Sequence, residues 1–247
     1  MQQAPPATPL DLIDNFPAFG RAALYIRQLI LDRNYKSIAD VGGGANPLLD
    51  GEFIARNGLD YCVIDKSPAA PGQAIYRTIE ADAESAESVF RTDTGGRKFD
   101  LIFSHMLLEH LEHPLQAHRN FHGALNRGGR CVHIYPSPNN LPLFLNRMLP
   151  EALSARLLKL AQPGRDLQGA QRKFKAYYRM CGAPSPALTA AFEAIGYTVH
   201  QHTGYIGHTY YERWRPAAML EKRWRNIAHR LQLPLTGGCL LVLEKSA

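Results

Sequence analysis

Short apolar, β-prone runs alternate along the chain with stretches of helical spacing. The runs are Ser37–Val41, Tyr61–Asp65, Ala74–Ile79, Phe99–Ser104, Arg130–Tyr135, Tyr197–Thr203 and Cys239–Glu244. Each is bounded by polar or turn residues, which predicts strands. Leu10 to Asp32 carries apolar residues every third or fourth position and predicts one or two leading helices. Pro114–Leu125 predicts a helix with proline at its first position and Gly128-Gly129 beyond its end. Pro186–Ile195 predicts another, followed by Gly196 as the left-handed residue that stops it. Strand–helix alternation of this kind predicts an α/β fold, a mostly parallel sheet with helices on both faces.

The alternation is interrupted twice, at Ser137–Ser185 and at Gly204–Gly238. Both gaps exceed an ordinary connection, so both are expected to be insertions with helices of their own. Pro150–Ala161 would place Leu153, Leu157 and Leu160 on one face. Pro216–Leu231 would place Leu220, Trp224, Ile227 and Leu231 on one face, with Lys222, Arg225 and His229 opposite. The expected organisation is a single domain over 1–247. Its core is about 34–136, 186–203 and 238–247, with helical cap insertions at about 137–185 and 204–237.

Composition adds exclusions. No long uncharged apolar run is present, so no membrane-spanning helix is expected. The opening MQQAPPATPLDLIDNF does not read as a secretory leader. Cys62, Cys131, Cys181 and Cys239 are far apart and lack any C-x-x-C pair. They read as small core residues of a reducing, cytoplasmic compartment. Net charge is +6, unevenly spread. Residues 1–142 hold 13 Lys+Arg against 16 Asp+Glu, and residues 143–247 hold 15 against 6. A basic second half fits either a solvated surface or an acidic partner such as a phosphorylated substrate, anionic lipid or nucleic acid.

The chemistry gathers at strand ends. Ser37–Val41 runs into Asp40-Val41-Gly42-Gly43-Gly44-Ala45-Asn46-Pro47. A strand, a glycine-rich turn and a helix form a nucleotide-cofactor loop, in which glycine lets backbone approach the ligand. A dinucleotide loop wants a third glycine where Pro47 stands. Asp40 suits a cofactor bearing ammonium and sulfonium charges and would be a poor neighbour for a pyrophosphate. S-adenosylmethionine is therefore favoured over NAD. Asp65 ends the second strand, where an acid can accept ribose hydroxyls. Glu80-Ala81-Asp82-Ala83 follows the third, where an acid can accept the adenine amino group.

Four motifs in order carry a resemblance. They are Asp40 to Gly44; the acid Asp65; Phe99-Asp100-Leu101-Ile102-Phe103-Ser104 with Leu108-Glu109-His110-Leu111; and Leu125-Asn126-Arg127-Gly128-Gly129. In these the sequence resembles the class I S-adenosylmethionine-dependent methyltransferases, in the branch that includes the quinone-biosynthesis methyltransferases. The likeness covers about 37–135, with a generic match for the last helix and strands. It implies a Rossmann-like seven-stranded sheet, its last strand antiparallel, with the cofactor across the carboxyl ends of the first four strands. By the same resemblance Asp40, Gly42, Gly44 and Asn46 would hold the methionine part of S-adenosylmethionine. Asp65 would take the ribose, Lys66 would flank the adenine, and Asp82 and Ala83 would take the adenine edge, Asp82 being preferred to Glu80. Ser104, His105 and Met106 would line the cofactor near the sulfonium. Asn46-Pro47 departs from the family's usual pattern.

The expected activity is methyl transfer, O- or C-methylation, to a small-molecule, glycan or lipid-like acceptor. A hydroxyl acceptor would need a base, with His105 first and His208 second. Because both insertions begin at the carboxyl edge of the sheet, Tyr135, Asn139, Tyr177, Tyr178, Tyr210 and Tyr211 are candidates for the acceptor site. The expected partners are a small or lipid-linked substrate, anionic by the charge of the insertions, and no stable nucleic acid. Pro216–Leu231 offers a surface for an anionic membrane, or a lid packed by Leu220, Trp224 and Ile227, and the lid is favoured. Glu109-His110 reads as a buried pair fixing its loop. His118 with His122, and His105, His110 and His113, cluster locally without completing a recognisable metal site, so no metal is expected. The rival readings are a non-catalytic module of the same fold, a nucleic-acid methyltransferase and a nicotinamide-dependent oxidoreductase.

Overall fold

A computed structural model of the chain describes residues 11–13, 18–44, 46–67, 76–139, 175–207 and 215–246. In chain order these form β1 (Asp11–Ile13), α1 (Ala18–Arg33), β2 (Ser37–Val41), α2 (Gly51–Arg56), β3 (Asp60–Asp65), β4 (Arg77–Glu80), α3 (Glu87–Asp93), β5 (Phe99–His105), a 3-10 turn (Leu108–His110), α4 (Pro114–Ala124) and β6 (Leu125–Pro136). After the second break come α5 (Pro186–Glu193), β7 (Tyr197–Tyr205), α6 (Arg215–Arg230) and β8 (Gly238–Lys245). One sheet holds the strands in the order β1-β7-β8-β6-β5-β2-β3-β4. Every pairing is parallel except those of β8, which runs antiparallel to both β6 and β7.

The seven expected strands are β2 to β8, and an eighth joins them. Asp11–Ile13 pairs parallel with Thr203 to Tyr205 of β7. The leading helix therefore starts only at Ala18, where a helix from Leu10 was expected. Periodicity cannot separate so short an apolar run from the start of a helix, and the open edge of β7 decides it by pairing its backbone. The helix before β6 also ends one residue early, because Leu125 to Gly129 is already strand. A Cβ on Gly129 would lie 2.9–3.1 Å from the carbonyl oxygens of Asn126, Asp100 and Phe99, so only glycine lets the strand enter there.

Both faces of the sheet centre are buried, so β2, β3, β5 and β8 and the second half of β6 are mostly apolar, whereas the edge strand β4 and the first half of β7 are polar and partly exposed. In β2, Ile38 joins the layer under α1 and α2, while Ala39 and Val41 join the layer under α3, α4 and α5. In β8, Leu240 and Val242 take the first side, Leu241 and Leu243 the second. Ala22, Ile26 and Ile30 form the i, i+4, i+8 stripe by which α1 seats on the first face. Phe90, Phe121 and Phe192 seat α3, α4 and α5 on the second, each burial contributing roughly 2 kcal/mol. Side chains cap two helix starts. Asp50 accepts from Phe53 N at 2.8 Å, and Ser185 from Leu188 N at 3.3 Å with Pro186 next to it.

All four cysteines are buried and free. The expected helix Pro150–Ala161 lies outside the described residues. The expected helix Pro216–Leu231 forms as α6, but it does not pack as a lid through Leu220, Trp224 and Ile227, which are all exposed. Its contact is Ala228, buried with Ile206 against Leu233 and Leu235. The covered side of the helix is instead that of Ala228 with Glu221 and Arg225, whose side chains are largely covered.

Candidate active site

Parallel strands bring their carboxyl ends to one edge, and the chemistry gathers there. Asp40 pairs in register with Val63 and Phe103, and Asp65 with Glu80. Beyond β2 the loop is held to β3 by Gly42 N donating to Ile64 O at 2.8 Å. Beyond β5 the chain is held to β6 by Met106 N donating to Ile134 O at 2.8 Å.

The glycines answer to contact and conformation together. Gly42 (φ 79°) and Gly44 (φ 46°) are left-handed. A Cβ on Gly42 would lie 2.9 Å from the Leu107 side chain, on Gly43 2.9 Å from the Asp40 carboxylate, and on Gly44 3.3 Å from Asp65 Oδ2. The loop is thus a bare-backbone cradle between the turn after β5 and the acid ending β3. Met106 is also left-handed, at φ 59°. A side chain there is strained, and such strain concentrates at functional sites.

Asp40 sits beneath the cradle. It is 2% exposed and accepts from Tyr61 Oη at 2.5 Å and Leu48 N at 2.9 Å, both through Oδ2. Burial lifts its pKa to about 6 against the pull of those two donors. Asp40 therefore organises the loop from below while placing negative potential under it. Asp65 accepts from Ser67 N at 2.9 Å, and its carbonyl receives Ala81 N at 3.1 Å. Lys66 pairs with Asp82 at 3.1 Å and with Glu84 at 3.5 Å, tying the end of β3 to the loop after β4. Asp82 Oδ1 also accepts from Glu84 N at 2.8 Å. Asn120 of α4 donates to the carbonyls of Ala83 (2.8 Å) and Ser85 (2.9 Å), fixing that loop from behind.

The residues at the end of β5 divide. Ser104 turns into the core, its hydroxyl 2.7 Å from His133 Nδ1, so its side chain does not face the cradle as expected. His105 is the last strand residue, paired with Ile134 and half-buried. Tyr135, expected at the acceptor, is likewise in the core. Its hydroxyl is 3.0 Å from His202 Nε2 and 3.2 Å from Gly182 O. Inward alternation along β6 puts it there. Asn139 is exposed, its N–H 3.4 Å from Ser137 Oγ. Asn46 is exposed and its N–H donates to Gly43 O at 2.8 Å. Tyr177 and Tyr178 reach the turn after β5, both donating their N–H to Glu109 O (2.8 and 3.1 Å). Lys175 Nζ lies 4.5 Å from the Tyr177 ring centroid, so that ring already serves a cation. His208, Tyr210 and Tyr211 lie outside the described residues.

Glu109 and His110 fix the chain as expected. His110 Nδ1 donates to Lys175 O at 2.8 Å, and the two side chains stand 3.7 Å apart. The Glu109 carboxyl is buried, which pushes its pKa up to about 7. Tyr61, Leu107 and Asn120 support the site and were not among the candidates. A strand tyrosine, a turn leucine and a helix asparagine carry no signal of their own until the fold sets them beside Asp40, Gly42 and Ala83. Among the described residues no group of three or more His, Cys, Asp or Glu side chains is placed to hold a metal ion.

A family model described as a methyltransferase domain matches residues 18–202. The chain belongs to this family. Solved structures agree on the fold. An S-adenosylmethionine-dependent methyltransferase from Mesorhizobium loti superposes with a TM-score of 0.52 at 15% identity, over 92% of this chain and 100% of that one. Magnesium protoporphyrin IX methyltransferase from Synechocystis, with bound S-adenosylhomocysteine, gives 0.51 at 13% identity, over 93% and 84%. A methyltransferase from Archaeoglobus fulgidus gives 0.51 at 12%, over 92% and 98%. No curated protein matches the sequence. As a methyltransferase of this fold the protein uses S-adenosylmethionine, and the cradle fits it. Left-handed glycines clear the space, the Asp40 potential suits a cation, and the Asp65 carboxylate borders the loop at Gly44.

Proposed function

We propose that this methyltransferase acts on an anionic small-molecule or lipid-linked acceptor, by O- or C-methylation. The observation that carries the reading is charge placement. The connections 137–185 and 206–237 both begin at the carboxyl edge of the sheet, after β6 and β7, and residues 143–247 hold 15 Lys+Arg against 6 Asp+Glu. Basic potential on the acceptor side draws an anion toward the site.

Bound S-adenosylmethionine supplies an activated methyl group on a sulfonium. The chain's own part is alignment and exclusion of water. Gly42 and Gly44 admit the donor, Asp65 orients its ribose, and Lys66 with Asp82 closes the adenine end. Met106 N ties the turn after β5 to β6, and Leu107 of that turn lies against Gly42. For a hydroxyl acceptor, His105 at the end of β5 takes the proton as the new carbon–oxygen bond forms.

Calorimetry with S-adenosylmethionine, NAD as control and Asp65→Ala as the weakened variant tests the cradle. Release of S-adenosylhomocysteine over a panel of anionic glycolipids and small phenols then tests the acceptor. Turnover confined to neutral acceptors would sink the charge argument. Full turnover by His105→Ala with intact donor binding would remove His105 as base.

A further inference from the structure

We propose that α6 is a docking surface for an anionic lipid bilayer. Met219, Leu220, Trp224, Ile227 and Leu231 are 62%, 70%, 40%, 47% and 64% exposed. They lie at helical spacing and form one apolar stripe, and stripes of this size on a soluble surface mark an interaction site. Among the described residues the helix gives Ala228 to a small buried cluster with Ile206, and the Ala228 carbonyl also receives Leu233 N at 2.9 Å.

The charges choose the occupant. Arg215, Lys222, Arg223 and Arg230 are exposed, and the one acid on the helix, Glu221, stands 3.7 Å from Arg225. Arg223 lies one turn from Met219 and one turn from Ile227, so cations rise from within the apolar side itself. Long basic side chains over a Trp- and Leu-bearing stripe match an interface in which heads reach lipid phosphates and the stripe enters the acyl boundary. A second copy of the chain would bring Arg223 and Arg230 against the same cations, at a cost in repulsion. No helix among the described residues is long and apolar enough to cross a membrane, so α6 lies on the surface.

Position gives the docking a use. The segment bearing α6 follows β7 and precedes β8, and its return is tied to the carboxyl edge by Gly237 N to Tyr205 O (2.6 Å) and Ser137 N to Gly237 O (3.2 Å). The segment that carries α6 is thus anchored at the same edge of the sheet as the cradle. Delivery of a lipid-linked acceptor from that bilayer rests on the reading above, whereas the docking does not.

The test is sedimentation of the full chain with vesicles of phosphatidylcholine alone or enriched in phosphatidylglycerol. Binding is expected to the anionic vesicles only, and to weaken as salt rises. Leu220→Glu with Trp224→Glu is expected to weaken it roughly tenfold or more, and Arg223→Glu with Arg230→Glu by a similar factor. Because all four positions are exposed, S-adenosylmethionine calorimetry on the same variants should be unchanged, which separates this proposal from the transferase reading. Absence of binding to anionic vesicles, or equal binding by the Leu220/Trp224 variant, overturns it. So does a wild-type dimer by light scattering that becomes a monomer in that variant, since the stripe would then cover a second copy.

Discussion

The Tyr61 phenol donates to the buried Asp40 carboxylate across 2.5 Å, and Leu48 N donates to the same oxygen at 2.9 Å. Through this pair the middle of β3 holds the acid that underlies the glycine cradle on β2. Removing the phenol leaves a buried carboxylate short of a donor, which costs about 2 kcal/mol. Tyr61→Phe is therefore expected to lower stability by that order in urea titration. Donor affinity in calorimetry should fall about tenfold, because the loop loses its anchor.

Asp40 also sets a pH dependence. Its pKa is raised to about 6, so the carboxylate is charged above that pH and neutral below it. A cationic donor prefers the charged form. Affinity for S-adenosylmethionine should fall as pH drops through about 6, and Asp40→Asn should be weak and nearly flat over the same range.

Gly44→Ala forces a side chain into a left-handed position at φ 46°, 3.3 Å from Asp65 Oδ2. The strain is about 1 kcal/mol of stability. The larger effect is local, because the new methyl fills the space between the cradle and Asp65. Donor binding is expected to fall tenfold or more while the urea midpoint shifts little. An unchanged affinity would show that the cradle is not the donor site.

His118 is 0% exposed, ringed by His133 and Phe192 at 4.9 Å and Phe121 at 6.0 Å, and its pKa is lowered to about 3 by burial. A depressed folded pKa means the unfolded chain binds the proton first. Stability from this group is fully present above about 6.5 and is lost as pH falls toward 3, by about 5 kcal/mol at most. His118→Phe should therefore flatten the acid limb of a stability–pH curve.

Glu109 acts in the opposite direction. Its pKa is raised to about 7, so the folded state holds a proton that the unfolded state releases near 4.5. Stability falls as pH rises from about 4.5 through 7, by about 3 kcal/mol in all. Glu109→Gln should remove that fall and gain on wild type above pH 7 in thermal melts.

Most of the fold was legible in the sequence because burial on both faces makes the central strands nearly continuous apolar runs, and Ile38 beside Ala39 or Leu240 beside Leu241 shows it. The cofactor loop was legible because left-handed glycine and a strand-end acid are local requirements. Asp11–Ile13 was not, since three residues carry no period and only the open edge of β7 makes them a strand. Nor were the inward turns of Ser104 and Tyr135, each settled by a partner on another strand, His133 and His202.

The sequence by itself determined the succession of β2 to β8, the glycine loop and the acids that border it, because these follow from backbone conformation and near-neighbour chemistry. Only the tertiary structure decided that Asp40 works from beneath the loop through Tyr61, and that α6 keeps its apolar stripe in solvent. Burial and partnership are properties of residues far apart in the chain, and they exist only once the sheet has brought them together.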